Sequence, residues 1–195
     1  TTQSTQGAGI YCYSSSPQLK NLIVSGNNAC LECSYSDGGG IYCTEYSSPI
    51  VENSMIINNS AVGSEGGGFT AVWSSSAILR NVIIQGNVAE YAAGVWCGMT
   101  SNITLDHCTI TQNEAIESGG GGLQIYGAST ITATNTIIWD NSPYELYNWG
   151  GYSNYDNYNT INISYSDILG GEESLYVEEY TYFNWLEGNI NSDPL

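Results

Sequence analysis

The chain is short of positive charge. Its 195 residues hold only Lys20 and Arg80 against nineteen acidic side chains, a net charge of −17, and no Lys or Arg follows Arg80. Phosphate binding needs clustered cations, so nucleic acid is excluded as a partner, and an anionic membrane surface on the same ground. No apolar run approaches the ~20 residues that span a bilayer, which excludes membrane insertion by a helix. Histidine is nearly absent: His107 stands alone, so neither a His-based metal site nor a Ser-His-Asp triad can be assembled. Helical periodicity is missing too, since no stretch shows a 3.6-residue apolar period filled by good helix formers. The start carries no initiator Met, basic segment or apolar segment, so any signal peptide is expected to be gone already. The partners left are cations, neutral sugars and other copies of the chain.

What is abundant points outward from the cell. Ser, Thr, Asn, Gly and Tyr dominate while Lys is rare, a balance that suits an extracellular, cell-surface protein. Three sequons, at Asn58, Asn102 and Asn162, are candidate glycosylation sites.

A glycine-rich knot runs five times into a short apolar strand: Gly7-Ala8-Gly9-Ile10, Gly38-Gly39-Gly40-Ile41, Gly66-Gly67-Gly68-Phe69, Ala93-Gly94-Val95 and Gly121-Gly122-Leu123. A second strand follows each. Aligned on the residue before its apolar trio, these give Asn21, Asn53, Asn81, His107, Asn135 and Tyr165, at spacings of 32, 28, 26, 28 and 30. Downstream lies a second asparagine column, Asn27, Asn59, Asn87, Asn113 and Asn141. A period that varies while its strands stay fixed belongs to turns of variable length, and self-similarity at this period means a solenoid. Three short strands per coil and about six coils at ~4.8 Å spacing predict an all-β, single-stranded right-handed parallel β-helix over residues 1–195. Asn tolerates the left-handed backbone of a corner, and its amide can donate to one neighbouring coil while accepting from the other. In Ile10-Tyr11-Cys12 and Ile41-Tyr42-Cys43 the outer residues are expected to face in and the tyrosines out.

The run Gly-Gly-Gly-Ile-Tyr-Cys, then Ser-Ser-Pro-Ile-Val-Glu-Asn, then Ile-Ile-Asn-Asn-Ser-Ala resembles right-handed parallel β-helix repeats of bacterial surface proteins. The group is related to pectate-lyase-type folds and to polymorphic outer-membrane-protein repeats with Gly-Gly-Ala-Ile and Phe-x-x-Asn signatures. In this chain the Phe of Phe-x-x-Asn is replaced by Val24, Ile56, Ile84, Ile110 and Ile138. The tail Gly188-Asn189-Ile190-Asn191-Ser192-Asp193-Pro194-Leu195 is similar to the closing motif of secreted β-helix proteins that carry sorting anchors. Such families include enzymes, adhesins and passive stalks, so the resemblance implies the fold and leaves function to the site.

Little catalytic chemistry is visible. Lys20, Glu52, Arg80 and Asp106 fall in one column and read as a surface salt ladder worth ~0.2–1 kcal/mol per pair rather than as a lyase base or a glycosidase acid pair. Cys12 and Cys43 share a strand position on adjacent coils, either as buried thiols or as a disulfide, and Cys30 and Cys33 form a C-x-x-C suited to a local turn disulfide. The final third is rich in acid and tyrosine. Residues 142–160 and 172–187 read as elongated turns, with Glu178 and Glu179 as candidate Ca²⁺ ligands and the aromatics as a sugar-stacking or protein-contact surface or a cover for the helix flank. The first glycine knot begins within six residues of the start and Leu195 stops where a new coil would begin, so the ends are expected to stack on further copies or adjoining coils. The leading expectation is a non-enzymatic extracellular scaffold or filament subunit, and the alternative is a carbohydrate-binding or carbohydrate-active module.

Overall fold

The computed structural model describes residues 7–29, 37–150 and 158–194. Every strand pairing is parallel, and three sheets wind into a solenoid of about six turns. One sheet has seven strands: Ile10–Tyr13, Ile41–Thr44, Phe69–Ala71, Val95–Cys97, Gly120–Tyr126, Tyr144–Trp149 and Tyr176–Val177. An eleven-stranded sheet follows in each turn, bent at the corner column, and includes Ile50–Ile57, Ser76–Gln85 and Thr181–Trp185. A narrow three-stranded sheet of Ser60–Glu65, Val88–Tyr91 and Glu114–Ala115 closes the triangle.

Like residues lie over like. Ile41, Phe69, Val95, Leu123 and Leu146 stack on one interior wall, Val51, Leu79, Leu105, Ala133 and Ile163 on the second, and all ten are fully buried. Burial of each large side chain contributes about 1.5–3 kcal/mol against the entropy of ordering the chain.

The two asparagine columns do different work. Asn21, Asn53, Asn81, His107, Asn135 and Tyr165 all have φ between 49° and 56°, in the left-handed region that lets the long strand turn a corner without leaving the sheet. They are exposed. The second column is interior: Nδ2 of Asn27, Asn59, Asn87 and Asn113 donates to Oδ1 of the asparagine one coil on at 2.9, 3.0, 2.9 and 2.9 Å. That same Oδ1 also accepts the backbone N–H of the asparagine below it, and each Nδ2 from Asn59 on also donates to a backbone carbonyl of the preceding coil. At the top, the buried carboxylate of Glu145 takes the place of the next amide, accepting from Asn141 N and Nδ2 at 3.1 and 2.6 Å.

Two further ladders were not anticipated. Ser47, Ser101 and Ser129 accept at Oγ the backbone N–H of Ser15, Ser75 and Ser101, and Asn159 Oδ1 accepts from Ser129. At the opposite corner Ser54, Thr136, Ser166 and Asn189 do the same for Leu22, Cys108, Thr136 and Ser166. The glycine knots are set by close approach as well as by backbone sign. A Cβ on Gly68 would lie 2.6 Å from the carbonyl oxygen of Gly94 in the next coil, whereas Gly66 has φ of 77°.

Two expectations need correction and one a qualification. Residues 142–160 and 172–187 are not simple elongated turns: Tyr144–Trp149 joins the seven-stranded sheet, Asn159–Ser164 opens the next rung, and Tyr176–Val177 and Thr181–Trp185 are paired strands. Their two-fold pattern was hidden because the outward positions carry tyrosines while Leu146 and Asn148 point in. Tyr42 does face outward, yet it is only 1% exposed, and Tyr11 stacks nearly parallel on its ring at 5.8 Å. The candidate bridge between Cys12 and Cys43 is not formed. The two are in register as free, buried thiols in hydrogen-bonding contact, which lowers the Cys12 pKa and raises that of Cys43. Cys30 and Cys33 lie outside the described residues.

The ladder makes a quantitative expectation. Asn87→Ala removes an acceptor and two amide bonds from a dry interior and should cost about 2–4 kcal/mol in urea unfolding, while Asn81→Gly at the exposed corner should stay within about 0.5 kcal/mol.

Candidate saccharide-binding groove

The seven-stranded sheet carries on its outer face the register Tyr11, Tyr42, Thr70, Trp96, Gln124, Tyr147 and Tyr176. Strand alternation alone puts these side chains opposite the core. Their spacing of one strand, ~4.8 Å, builds a flat ladder of rings and amides along the solenoid. Tyr147 and Tyr176 stack nearly parallel, with centroids 4.6 Å apart.

One wall of the groove is the column that ends the narrow sheet immediately before each glycine knot. Asp37 precedes Gly38, Glu65 precedes Gly66, and Tyr91 pairs with Glu65 across the next coil. Glu65, Tyr91, Ser118, Gly119, Gln124, Tyr147 and Trp149 enclose a cavity of about 420 Å³. A smaller one of about 120 Å³ adjoins it and shares Glu65, Gln124 and Trp149, with Trp96, Met99 and Tyr126 completing its lining. Tyr126 and Trp149 meet with centroids 5.6 Å apart at a tilt of 40°.

Two features of this floor are unusual for a packed surface. Trp96 is 4% exposed, and its Nε1–H has no partner among the described residues, nor has the hydroxyl of buried Thr70. Gly98 makes room beside the indole, where a Cβ would stand 3.2 Å from Nε1. Orphaned buried donors are costly, about 1–3 kcal/mol each, and are expected where something else supplies the acceptor. Gln124 is fixed by accepting the Gly120 N–H at Oε1, 3.0 Å.

The electrostatics are equally one-sided. Burial, with the charge of Asp37 one coil away, pushes the Glu65 carboxyl up to about 7. Ser64 Oγ donates to Asp37 Oδ1 at 2.5 Å. The same burial, aided by Asp37, pushes the Tyr42 phenol well above its usual range. No cation balances this wall, because Lys20 and Arg80 sit on the outer face of the eleven-stranded sheet and both reach Glu52, at 2.8 and 3.3 Å.

That second location settles the column seen in the sequence. Lys20, Glu52, Arg80 and Asp106 are in register, and the Glu52 carboxyl is held low chiefly by its hydrogen bond from Lys20. Asp106 accepts from Asn135 Nδ2 at 3.3 Å, which leads in lowering its pKa, and pairs with His107 Nδ1 at 2.7 Å. These groups form a surface ladder of ion pairs and hydrogen bonds across successive coils.

Glu178 and Glu179 line a cavity of about 530 Å³ with Gly150, Tyr176, Val177 and Tyr180, and Glu178 Oε1 accepts from the Tyr176 hydroxyl at 3.3 Å. Two carboxylates fall short of the six to eight oxygens Ca²⁺ prefers. No cluster of three or more His, Cys, Asp or Glu forms among the described residues. Of the sequons, Asn58 is exposed at a left-handed corner. Asn102 and Asn162 lie on strands and bond Ser76 and Thr132 across coils at 3.4 and 3.3 Å.

The groove residues were missed in the sequence. The column preceding the glycine knots reads Asp37, Glu65, Tyr91, and its change of chemistry hid it from a search for repeated acids. The signal that was present is positional: three residues at one offset from a glycine knot must stand over one another.

A parallel solenoid with a ladder-filled interior and an aromatic, acid-walled outer groove is the class this geometry defines. The sequence profile described as "Right handed beta helix region" matches residues 1–162, and the chain belongs to that family. No curated protein and no solved structure matches it. No helix among the described residues is long and apolar enough to cross a membrane.

Glu65 yields a pH test of the wall. The folded protein holds this proton more tightly than the unfolded chain, whose carboxyl titrates near 4.5, so the stability Glu65 contributes is complete below that pH and is lost as pH rises through about 7. Glu65→Gln should therefore match the parent at pH 4 and exceed it by about 1–3 kcal/mol at pH 8 in denaturant titrations.

Proposed function

We propose that the chain is an extracellular β-helical surface module that binds a saccharide without turning it over, in the groove over Trp96, Gln124 and Trp149. The observation that carries this reading is the buried, unpartnered indole N–H of Trp96 at the floor of a groove lined by Tyr91, Tyr126, Tyr147 and Trp149. Flat rings beside free donors are what a pyranose needs, apolar face against ring and hydroxyl against N–H. The surplus of carboxylates disfavours uronates and other polyanions, and leaves uncharged or cationic sugars.

Binding without turnover is favoured by where the acids stand. Glycoside hydrolysis needs carboxyl groups on either side of the scissile bond, ~5–9.5 Å apart. Asp37 and Glu65 occupy successive rungs of one wall. The in-register interior makes the groove rigid, which suits a scaffold that presents one fixed surface.

Oligosaccharides of uncharged hexoses, titrated while tryptophan fluorescence is followed, should quench the signal, and Trp149→Ala, at a half-exposed position, should weaken binding at least tenfold. New reducing ends in the same samples would overturn the absence of turnover. Filaments in micrographs, with no glycan bound, would return the reading to a self-assembling scaffold.

A further inference from the structure

The smaller cavity has a chemistry of its own. It is lined by two indoles, Trp96 and Trp149, the phenol ring of Tyr126 and the thioether of Met99, together with Glu65 and the amide of Gln124. Ring faces carry negative potential and attract a cation seated over them, more strongly as the site is desolvated. A carboxylate beside such rings adds a full counter-charge. Nothing in the described chain supplies the cation, since Lys20 and Arg80 are both committed to Glu52 on another face and His107 to Asp106.

Size narrows the occupant. A volume of about 120 Å³ is small, room for no more than a compact group. That accommodates an ammonium head with its attached carbons, while the adjoining cavity of about 420 Å³ has room for the sugar to which it is attached. A metal ion fits poorly, because rings, a thioether and one carboxylate offer too few hard oxygens.

We propose that the box formed by Trp96, Met99, Tyr126, Trp149 and Glu65 is a specificity site for an organic ammonium group carried by the glycan. This rests on the groove being the saccharide site and names the unit that it selects. The shared chemistry is the ammonium. It can come from the free amine of an amino sugar or from a quaternary choline substituent, and the site discriminates against N-acetylated and unsubstituted sugars, which bring no charge to Glu65.

Charge on the acid wall then governs affinity. Glu65 is faced by Asp37 from the preceding coil, by Tyr91 from the next, and by Tyr126 and Tyr147 of the seven-stranded sheet, all neutral or anionic. Its carboxyl, pushed up to about 7, is protonated in part at neutral pH in the empty groove. A bound ammonium favours the ionised form, so affinity for choline, whose own charge does not change with pH, should rise between pH 5.5 and pH 8.

The test is a calorimetric and fluorescence titration of the intact chain with four probes: tetraglucosamine, its fully N-acetylated counterpart, a tetramer of glucose, and choline chloride. We expect tetraglucosamine or choline to bind at least tenfold more tightly than the acetylated and glucose tetramers. The stronger of the two identifies the primary or the quaternary ammonium as the preferred source. In Glu65→Gln and in Trp149→Ala that preference should fall toward one. Unfolding curves beside each variant confirm that it is folded, and the exposed position of Trp149 keeps the second variant usable if the first is impaired. Equal binding of free-amine and acetylated tetramers, with choline no tighter than either, overturns the ammonium box and leaves the groove standing as a saccharide site. Failure of all four probes to bind overturns both.

Discussion

Hydrogen bonds between successive coils, one strand spacing apart, are the constraint from which this molecule is built. Once every rung is parallel and in register, each side chain has the same position above and below it, and a buried polar group is least costly where its column supplies a partner at both faces. Asparagine meets that demand because one amide both donates and accepts. The interior row from Asn27 to Asn141 is therefore fully satisfied where isolated amides would be expensive. Serine and threonine meet a lesser demand at the other corners, most of them accepting one backbone N–H from the neighbouring coil, while the buried Oγ of Ser75 has no partner among the described residues.

Register also explains why the functional reading falls where it does. The corner column and the ion-pair column close on themselves, Glu52 with Lys20 and Arg80, Asp106 with His107 and Asn135. The outer face of the seven-stranded sheet does not. There the ladder changes from tyrosine to threonine to tryptophan to glutamine, so neighbouring rungs cannot satisfy one another, and Trp96 and Thr70 are left with unused hydrogens or lone pairs. The raised carboxyl of Glu65 is a second cost at the same place.

Much of the fold was legible in the chain because it recurs. Asn21, Asn53, Asn81 and Asn135 could be aligned by eye, and the structure finds them at one corner with one backbone conformation. The serine ladder was not legible, because serine is so common here that Ser47, Ser101 and Ser129 do not stand out as a column. Tyr144–Trp149 was read as a turn because the outward tyrosines resemble loop decoration, and only the pairing of Leu146 over Leu123 shows the strand. The groove was the least legible part. Its residues come from different sheets, and a half-buried carboxyl such as Glu65 differs from a solvated one only through what lies around it.

The carboxylate of Glu145 has a consequence for how this architecture can vary. All four asparagine side-chain bonds point the same way along the axis, so their amide dipoles add, with the positive end toward Glu145. A carboxylate accepts and gives nothing back, so it ends the row and sits at the favourable pole. Any whole coil inserted before Glu145 would join the aligned row without disturbing its terminus, and one added beyond it would have to begin a new row. Growth on one side of a single acidic residue thus extends the row, and growth on the other does not.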